Sequence, residues 1–145
     1  MYLKENTMSL ESNKFIVRRY IEEVWGRNNQ ETALELLDPG YIDHNPPPGV
    51  RPDRVGLLEA IAIFATAFPG AELSLDGLIA EKDLVADRWT LRGVQKGDFF
   101  GIAPTGRRIT LSGMDFHRLE DSKITETWHI EDILGLLRQL GVSAR

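Results

Sequence analysis

The chain contains no cysteine, which excludes disulfides, thiolate nucleophiles, iron–sulfur clusters and zinc sites with cysteine ligands. It has no apolar run long enough to span a bilayer, and its first twelve residues lack the apolar core of a signal peptide. Basic residues are fewer than acidic ones, 17 against 22, so the formal net charge is −5. A negative field disfavours nucleic acid and anionic membrane surfaces as partners. We therefore expect a cytoplasmic protein that binds neither.

What is present fits one folded domain. The chain has 145 residues, of which 42% are hydrophobic and 27% are charged, a balance typical of globular proteins. Residues 1–12 are polar and aperiodic, and we interpret them as a flexible leader. Residues 13–145 form a single domain in this interpretation. Chemistry in such a domain must come from its three histidines, its carboxylates or a bound ligand.

The apolar pattern changes once along the chain. Apolar residues spaced by three and four predict three helices, over residues 13–25, 30–37 and 53–68. From residue 71 the period is two, which predicts strands over 71–81, 84–95, 107–119 and 123–132, followed by a short apolar tail. Three helices followed by an antiparallel meander indicate the α+β class. A strongly curved antiparallel sheet packed against the helices leaves a central cleft, which is the default ligand site.

Short motifs occur in a characteristic order over most of the chain: Asn13-Lys14 with Val17-Arg18-Arg19, Tyr41-Ile42-Asp43-His44, Ala67-Phe68-Pro69, Val85-Ala86-Asp87-Arg88-Trp89-Thr90 with Gly93, Gly101-Ile102-Ala103-Pro104-Thr105-Gly106-Arg107, Lys123-Ile124, Trp128 with Asp132, and Leu137-Arg138-Gln139-Leu140-Gly141. The set resembles the SnoaL-like polyketide cyclase family. The order of elements resembles the cone-shaped NTF2-like fold of nuclear transport factor 2 and ketosteroid isomerase. The resemblance implies a cone with a central pocket and chemistry without metal or cofactor.

The resemblance also directs attention to two positions. In the family's aromatic polyketide cyclases an acid/base aspartate lies in the last strand, and a histidine often occupies the preceding strand. The corresponding positions here hold His129 and Asp115, so the imidazole and the carboxylate have exchanged places. The resemblance implies that both face the cleft.

Strand alternation predicts which residues share a face with this pair. His117 lies on the face of Asp115, and Glu131 on the face of His129. If the strands are neighbours, Asp115 raises the pKa of His129 and fixes its tautomer, as a general base near neutral pH requires. Two other interpretations stay open: an exposed polar pair, or Asp115 only orienting the histidine. We expect His117, close to a turn, to be exposed to solvent.

His44 precedes the proline run 46–48, where an irregular backbone often lines a cleft mouth. The resemblance to the isomerases supports a catalytic role for it. The alternative is a histidine that ties the loop down, and a register shift of one residue gives its role to Asp43. Apolar and acidic residues are further candidates for substrate binding: Asp43, Phe64, Phe68, Trp89, Trp128 and Asp132. We expect no metal site, because no two histidines have a local ligand spacing.

These observations favour a cofactor-free enzyme that uses acid/base chemistry to cyclise or isomerise an apolar, carbonyl-bearing small molecule through an enolate. One alternative is hydrolysis of an epoxide or ester on the same fold. Another is a non-catalytic binding or assembly module, in which apolar side chains fill the cleft. We also expect a homodimer, because alternation places four large apolar residues on the outer face of the sheet: Met114, Phe116, Trp128 and Ile130.

Overall fold

The computed structural model describes the backbone of residues 2–142 and the side chains of residues 9–142. The described residues form four α-helices, one π-helical segment and five strands. Their order is α1 (Tyr2–Arg19), the π-helical segment (Tyr20–Trp25), α2 (Gln30–Leu36), β1 (Leu37–Asp43), α3 (Arg54–Ala67), β2 (Glu72–Glu81), β3 (Leu84–Val94), β4 (Arg108–Glu120), β5 (Lys123–Glu131) and α4 (Ile133–Gln139). The α+β class is confirmed.

The first helix is longer than the sequence pattern predicts. The backbone over residues 2–12, interpreted above as a leader, is helical. Glycine and proline are absent before Gly26 and good helix formers are frequent, so local propensity supports helix even without an apolar stripe. At its other end α1 continues as the π-helical segment, whose buried side chains are those of Tyr20, Ile21 and Val24. Tyr20 is 3% exposed and faces the interior of the fold.

The five strands form one open sheet in the order β1-β5-β4-β3-β2. The strands β2 to β5 pair antiparallel as predicted, but β1 pairs parallel with β5. The prediction of a purely antiparallel sheet is therefore wrong at β1. Pro39 and Gly40 lie within β1. Strand β1 passes through them because it lies at the sheet edge, where proline is tolerated.

The apolar tail after β5 is a helix. Asp132 caps α4, because its Oδ1 accepts a hydrogen bond of 2.9 Å from the backbone N–H of Gly135. Leu136 and Leu140 of this segment are buried against Ile109 and Leu111 of β4. The cap fixes Asp132 at the surface, outside the cavity described below.

Two apolar clusters hold the helices against the inner face of the sheet. One joins α1, the π-helical segment, α2 and α3 to β1 and β5, and the other joins the end of α3 to β3, β4 and α4. On β4 burial alternates strictly, with Leu111, Gly113, Asp115 and His117 turned inward. Within residues 2–142, none of the helices combines the length and apolarity needed to cross a membrane.

Candidate active site

A cavity of about 810 Å³ lies between the helices and the inner face of the sheet. This volume falls in the range of small-molecule sites. Most of its wall is apolar, and it includes Phe64, Phe68 and Trp89, which the sequence analysis named as candidates for substrate binding. Phe99 joins them, with ring centroids 5.2 Å from Phe64 and 5.3 Å from Phe68. The side chains thus leave a hollow open, which is what an organic ligand needs.

Polar groups enter this cavity from three strands and the loop after β1. Strand β1 supplies Asp43, the following loop supplies Asn45, β4 supplies Asp115, and β5 supplies His129 and Glu131. His129 and Asp115 are direct cross-strand partners. Three of the residues singled out from the sequence, Asp43, Asp115 and His129, therefore meet in one place.

His129 lies between two carboxylates. Its Nε2 is 2.8 Å from Asp43 Oδ1, and its Nδ1 contacts Glu131 Oε1. Burial disfavours the charged imidazole, but the hydrogen bonds and charges of both carboxylates outweigh burial and raise the pKa of His129 to about 10. At neutral pH both ring nitrogens therefore carry protons. An imidazolium has no lone pair for another proton, so this setting favours a different role for His129 than the general base expected from the sequence.

The loop after β1 is tied firmly to β5. The backbone N–H of Asn45 donates to Asp43 Oδ1 over 2.9 Å, and Asn45 Oδ1 accepts from the backbone N–H of His129 over 2.9 Å. The backbone N–H of Asp43 donates to the carbonyl of Pro52 over 2.8 Å. These bonds hold the Asp43 carboxylate rigidly against the imidazolium ring of His129.

His44 points away from the cavity. Its Nε2 is 3.1 Å from Glu126 Oε1, and its ring stacks on Trp128 with centroids 4.5 Å apart. Neither His44 nor Trp128 lines the cavity, so the predictions that place them in the site are corrected. The physical reason is the two-residue period of an extended backbone: Asp43 and His129 face inward, so His44, directly after β1, and Trp128, directly before His129, face outward.

Asp115 is almost buried, with 8% of the residue exposed. Its Oδ2 accepts a hydrogen bond of 3.0 Å from the indole Nε1–H of Trp89. Burial, followed by the negative charge of the neighbouring Asp87, raises the pKa of Asp115 well above its usual range. Burial and the neighbouring charge therefore favour the protonated form of Asp115, and its carboxyl group does not form the hydrogen bond to His129 that the sequence suggested.

His117 is fully buried, which corrects the prediction that it is exposed. Its Nε2 is 2.7 Å from Asp87 Oδ2 on β3, and its Nδ1 is 2.9 Å from Thr127 Oγ1 on β5. Burial lowers the pKa of His117 to about 4, so the ring is neutral. Proximity to a turn misled the prediction, because neighbouring strands on both sides enclose this end of β4.

Two groups of side chains bring possible metal ligands within 4.8 Å of one another: Asp87 with Asp115 and His117, and Asp115 with His129 and Glu131. In the first group Asp115 already accepts a hydrogen bond from Trp89. In the second both nitrogens of His129 donate to carboxylates. A cation would have to displace these protons, so the donor set fits hydrogen bonding better than metal ligation.

Some site residues escaped the sequence analysis. Nothing in the pattern distinguishes Asn45, which lies in an irregular loop beside prolines. Glu131 shares a face of β5 with His129 by alternation, so the sequence pattern could have identified it as a candidate site residue. Asp87 could have been found by the same alternation, because it lies two residues from Trp89 on β3.

An α+β fold with one open sheet, a largely apolar cavity and an acid/base cluster at the cavity wall defines the NTF2-like class of small proteins. The chain belongs to the SnoaL-like polyketide cyclase family, whose family model matches residues 15–140. The resemblance seen in the sequence is thereby confirmed. Membership of this family supports a cyclase-type role on a small-molecule substrate.

Individual relatives cover almost the whole chain. Aklanonic acid methyl ester cyclase DnrD from Streptomyces peucetius is 30% identical, and the match covers 87% of this chain and 88% of that protein. Among solved structures, TsrD from Streptomyces laurentii has a TM-score of 0.83 at 29% identity, covering 92% of this chain and 97% of that one. IdmH from Streptomyces antibioticus has a TM-score of 0.77 at 30% identity, covering 90% and 99%.

Proposed function

We propose that the protein cyclises or isomerises an apolar, carbonyl-bearing small molecule through an enolate, without a cofactor. The observation that carries this proposal is the pairing of Asp43 with the imidazolium of His129 at the wall of a cavity of about 810 Å³. The cyclase DnrD, whose name specifies a methyl ester of an acid, supports an ester or ketone as the substrate class.

Asp43 is the proposed general base. Its Oδ1 is held by His129 and Asn45, whereas no hydrogen bond among residues 9–142 uses its Oδ2. That oxygen is available to take a proton from carbon. The side chain is only 6% exposed, against 21% for Glu131, and a carboxylate shielded from water is the more effective base. In this proposal His129 orients the Asp43 carboxylate and balances its negative charge.

Asp115 is the proposed electrophilic partner. A neutral carboxylic acid at a cavity wall donates a hydrogen bond to the oxygen on which negative charge develops. Such stabilisation is commonly the largest contribution to catalysis in enolate chemistry. The two carboxyl groups thus have opposite roles because their surroundings differ: Asp43 contacts a cation, and Asp115 is almost buried beside a second carboxylate.

The proposed reaction balances without a co-reactant. Asp43 takes the proton from the carbon next to a carbonyl, and the electron pair left behind forms the enolate, whose oxygen accepts a hydrogen bond from Asp115. In a cyclisation, the enolate carbon attacks a second carbonyl of the same molecule, forming one carbon–carbon bond. The resulting alkoxide recovers the proton from Asp43. Substrate and product are therefore isomers.

The test is hydrogen exchange at carbon. The protein is incubated in D₂O with a panel of aromatic β-ketoesters and 1,3-diketones, and deuterium at the α-carbon is followed by NMR and mass spectrometry. The proposal predicts exchange faster than in buffer, or a cyclised isomer that retains all substrate atoms. Absence of both with compounds that bind, as judged by thermal shift, would contradict it.

We also propose a homodimer formed through the outer face of the sheet. Met114, Phe116 and Ile130 are exposed there by 61%, 53% and 79%. Contiguous large apolar side chains of this kind are rare on monomeric surfaces. This face is separate from the cavity, so pairing of two copies leaves the site accessible.

A further inference from the structure

A second carboxyl group lies beside Asp115 and takes no part in the chemistry proposed above. Asp87 on β3 is the cross-strand partner of Asp115, and an oxygen of each group lies within 4.8 Å of the other. Asp87 is only 4% exposed and does not line the cavity. Two buried carboxyl groups this close together do not both ionise readily, so they retain a proton between them.

His117 determines which of the two holds that proton. Its ring is neutral and therefore carries one N–H. We assign this hydrogen to Nε2, which donates to Asp87 Oδ2 over 2.7 Å, while the hydroxyl of Thr127 donates to Nδ1 over 2.9 Å. Because Asp87 receives a hydrogen bond from His117, its charged form is favoured over that of Asp115, whose nearest approach to the same nitrogen is 3.9 Å.

The remaining oxygens agree with a proton on Asp115. Asp87 Oδ1 is buried and has no hydrogen-bond partner among the described residues, so a proton on the neighbouring carboxyl group provides one. Asp115 Oδ2 accepts from Trp89, which leaves the other oxygen of Asp115 to carry the hydrogen. A hydrogen on that oxygen is shared with Asp87 when the cavity is empty and is available to a ligand when one is bound.

We propose that Asp87 and His117 are positioning residues that keep Asp115 in its protonated, hydrogen-bond-donating form. The use of this proton on a substrate oxygen rests on the function proposed above. The placement of the proton on Asp115 does not rest on that function, because it is argued from the burial and hydrogen bonds of the described residues. It assigns a role to two buried polar groups, Asp87 and His117, that the chemistry proposed above does not use.

The other polar groups around Asp115 do not cancel this effect. Those that face it from the neighbouring elements are Trp89 on β3, His129 and Glu131 on β5, Tyr20 in the π-helical segment, and Tyr41 and Asp43 on β1. Burial raises the pKa of both tyrosines, so they are neutral at pH 7. The imidazolium of His129 favours ionised Asp115, but its charge is offset by the carboxylates of Asp43 and Glu131. The negative charge of Asp87 has no such partner of opposite charge.

The proton on Asp115 can be observed directly by ¹³C NMR of the full chain labelled at aspartate carboxyl carbons, with the Asp115 signal assigned from its loss in Asp115→Asn. We expect this carbon to have the chemical shift of a protonated acid at pH 7. In Asp87→Asn its titration midpoint should fall by about one pH unit or more, because a neighbouring negative charge is removed. A carboxylate shift at pH 7 in the unaltered protein, or an unchanged midpoint in Asp87→Asn, would overturn the proposal.

Val85→Ala is the matched control. Val85 is the buried cross-strand partner of His117 on the same strand as Asp87, so shortening it destabilises this region without removing a charge. The control should leave the midpoint of Asp115 unchanged. If Asp87→Asn does not fold, a carboxylate shift at pH 7 in the unaltered protein still overturns the proposal. With an active substrate, the alkaline limb of the kcat profile should also move to lower pH in Asp87→Asn. The carbon titration stays readable even if no substrate is ever turned over, so failure of the proposed function and failure of this inference are distinguishable.

Discussion

The imidazole Nε2 of His129 lies 2.8 Å from Oδ1 of Asp43, a residue 86 positions earlier in the chain. The parallel pairing of β1 with β5 creates this contact, since it aligns Asp43 with Thr127 and extends the following loop past His129. The contact joins the candidate base to a cation that cannot move away. The predictions that follow depend on this pair and on the surfaces around it.

The first prediction concerns the charge of His129. Two carboxylates raise its pKa to about 10, so its imidazole NMR signals should not titrate between pH 6 and 8. Replacement of Glu131 by glutamine should lower the midpoint, because one of the two anions is lost. A midpoint near 6.5 in the unaltered protein would show that the pairing does not persist in solution.

The same shift has a consequence for stability. A histidine whose pKa is higher in the folded than in the unfolded state binds the proton more tightly when folded. Its contribution to the free energy of unfolding is complete below about pH 6.5, the unfolded value, and is lost as the pH rises toward 10. Denaturant titrations should show this decline between pH 6.5 and 10. The decline should be smaller in His129→Gln than in the unaltered protein.

Glu131→Gln separates the two carboxylates next to His129. If Asp43 is the base, this variant keeps kcat within about tenfold of the unaltered protein, because Glu131 only balances charge. General base catalysis typically contributes about 10²–10⁴-fold. A loss of that size in Glu131→Gln would therefore transfer the role of base to Glu131. Steady-state kinetics on a substrate found in the exchange screen provide the measurement.

His44→Ala tests the corrected position of that residue. The side chain stacks on Trp128 and pairs with Glu126 on the outer face of β5. Its removal should cost about 1 kcal/mol of stability and leave kcat unchanged within about twofold. Thermal unfolding measures the loss of stability, and steady-state kinetics on the same preparation measure kcat. A large loss of turnover with normal stability would return His44 to the site.

The outer face of the sheet gives a prediction about assembly. Ile130→Lys places a charge in the centre of the proposed dimer interface and should yield a monomer by sedimentation velocity at micromolar concentration. Val55→Lys is the control, since Val55 is 58% exposed but lies on α3, away from the sheet. A monomeric unaltered protein, or an unchanged dimer in Ile130→Lys, would contradict the proposed interface.

Period-two alternation accounts for much of what the sequence revealed. The resemblance implied that Asp115 and His129 face the cleft, and alternation along the two long strands added His117 and Glu131 to the same faces. Alternation gave no guidance for His44, because β1 contains Pro39 and Gly40 and has no regular apolar pattern. Because strand β1 was not predicted, the sequence analysis favoured His44 for the cavity wall, where the structure places Asp43.

The electrostatics of the site were beyond the sequence. The pairing of His129 with Asp115 was expected, but the imidazole instead contacts Asp43, which is brought close only by the parallel β1–β5 pairing. The burial of His117 likewise depends on Asp87 and Thr127 from two neighbouring strands. Charges on a protein interact through space, and their partners emerge only once the strand order is known.

The most direct test of the account is α-proton exchange in D₂O catalysed by Asp43→Asn, compared with Asp132→Asn as a matched control. Both variants exchange a carboxylate for an amide, and asparagine can still cap α4 at position 132. We predict that exchange falls by about 10²-fold or more in Asp43→Asn and stays at the level of the unaltered protein in Asp132→Asn. Exchange at full rate in a folded Asp43→Asn variant would contradict the central claim that Asp43 is the base.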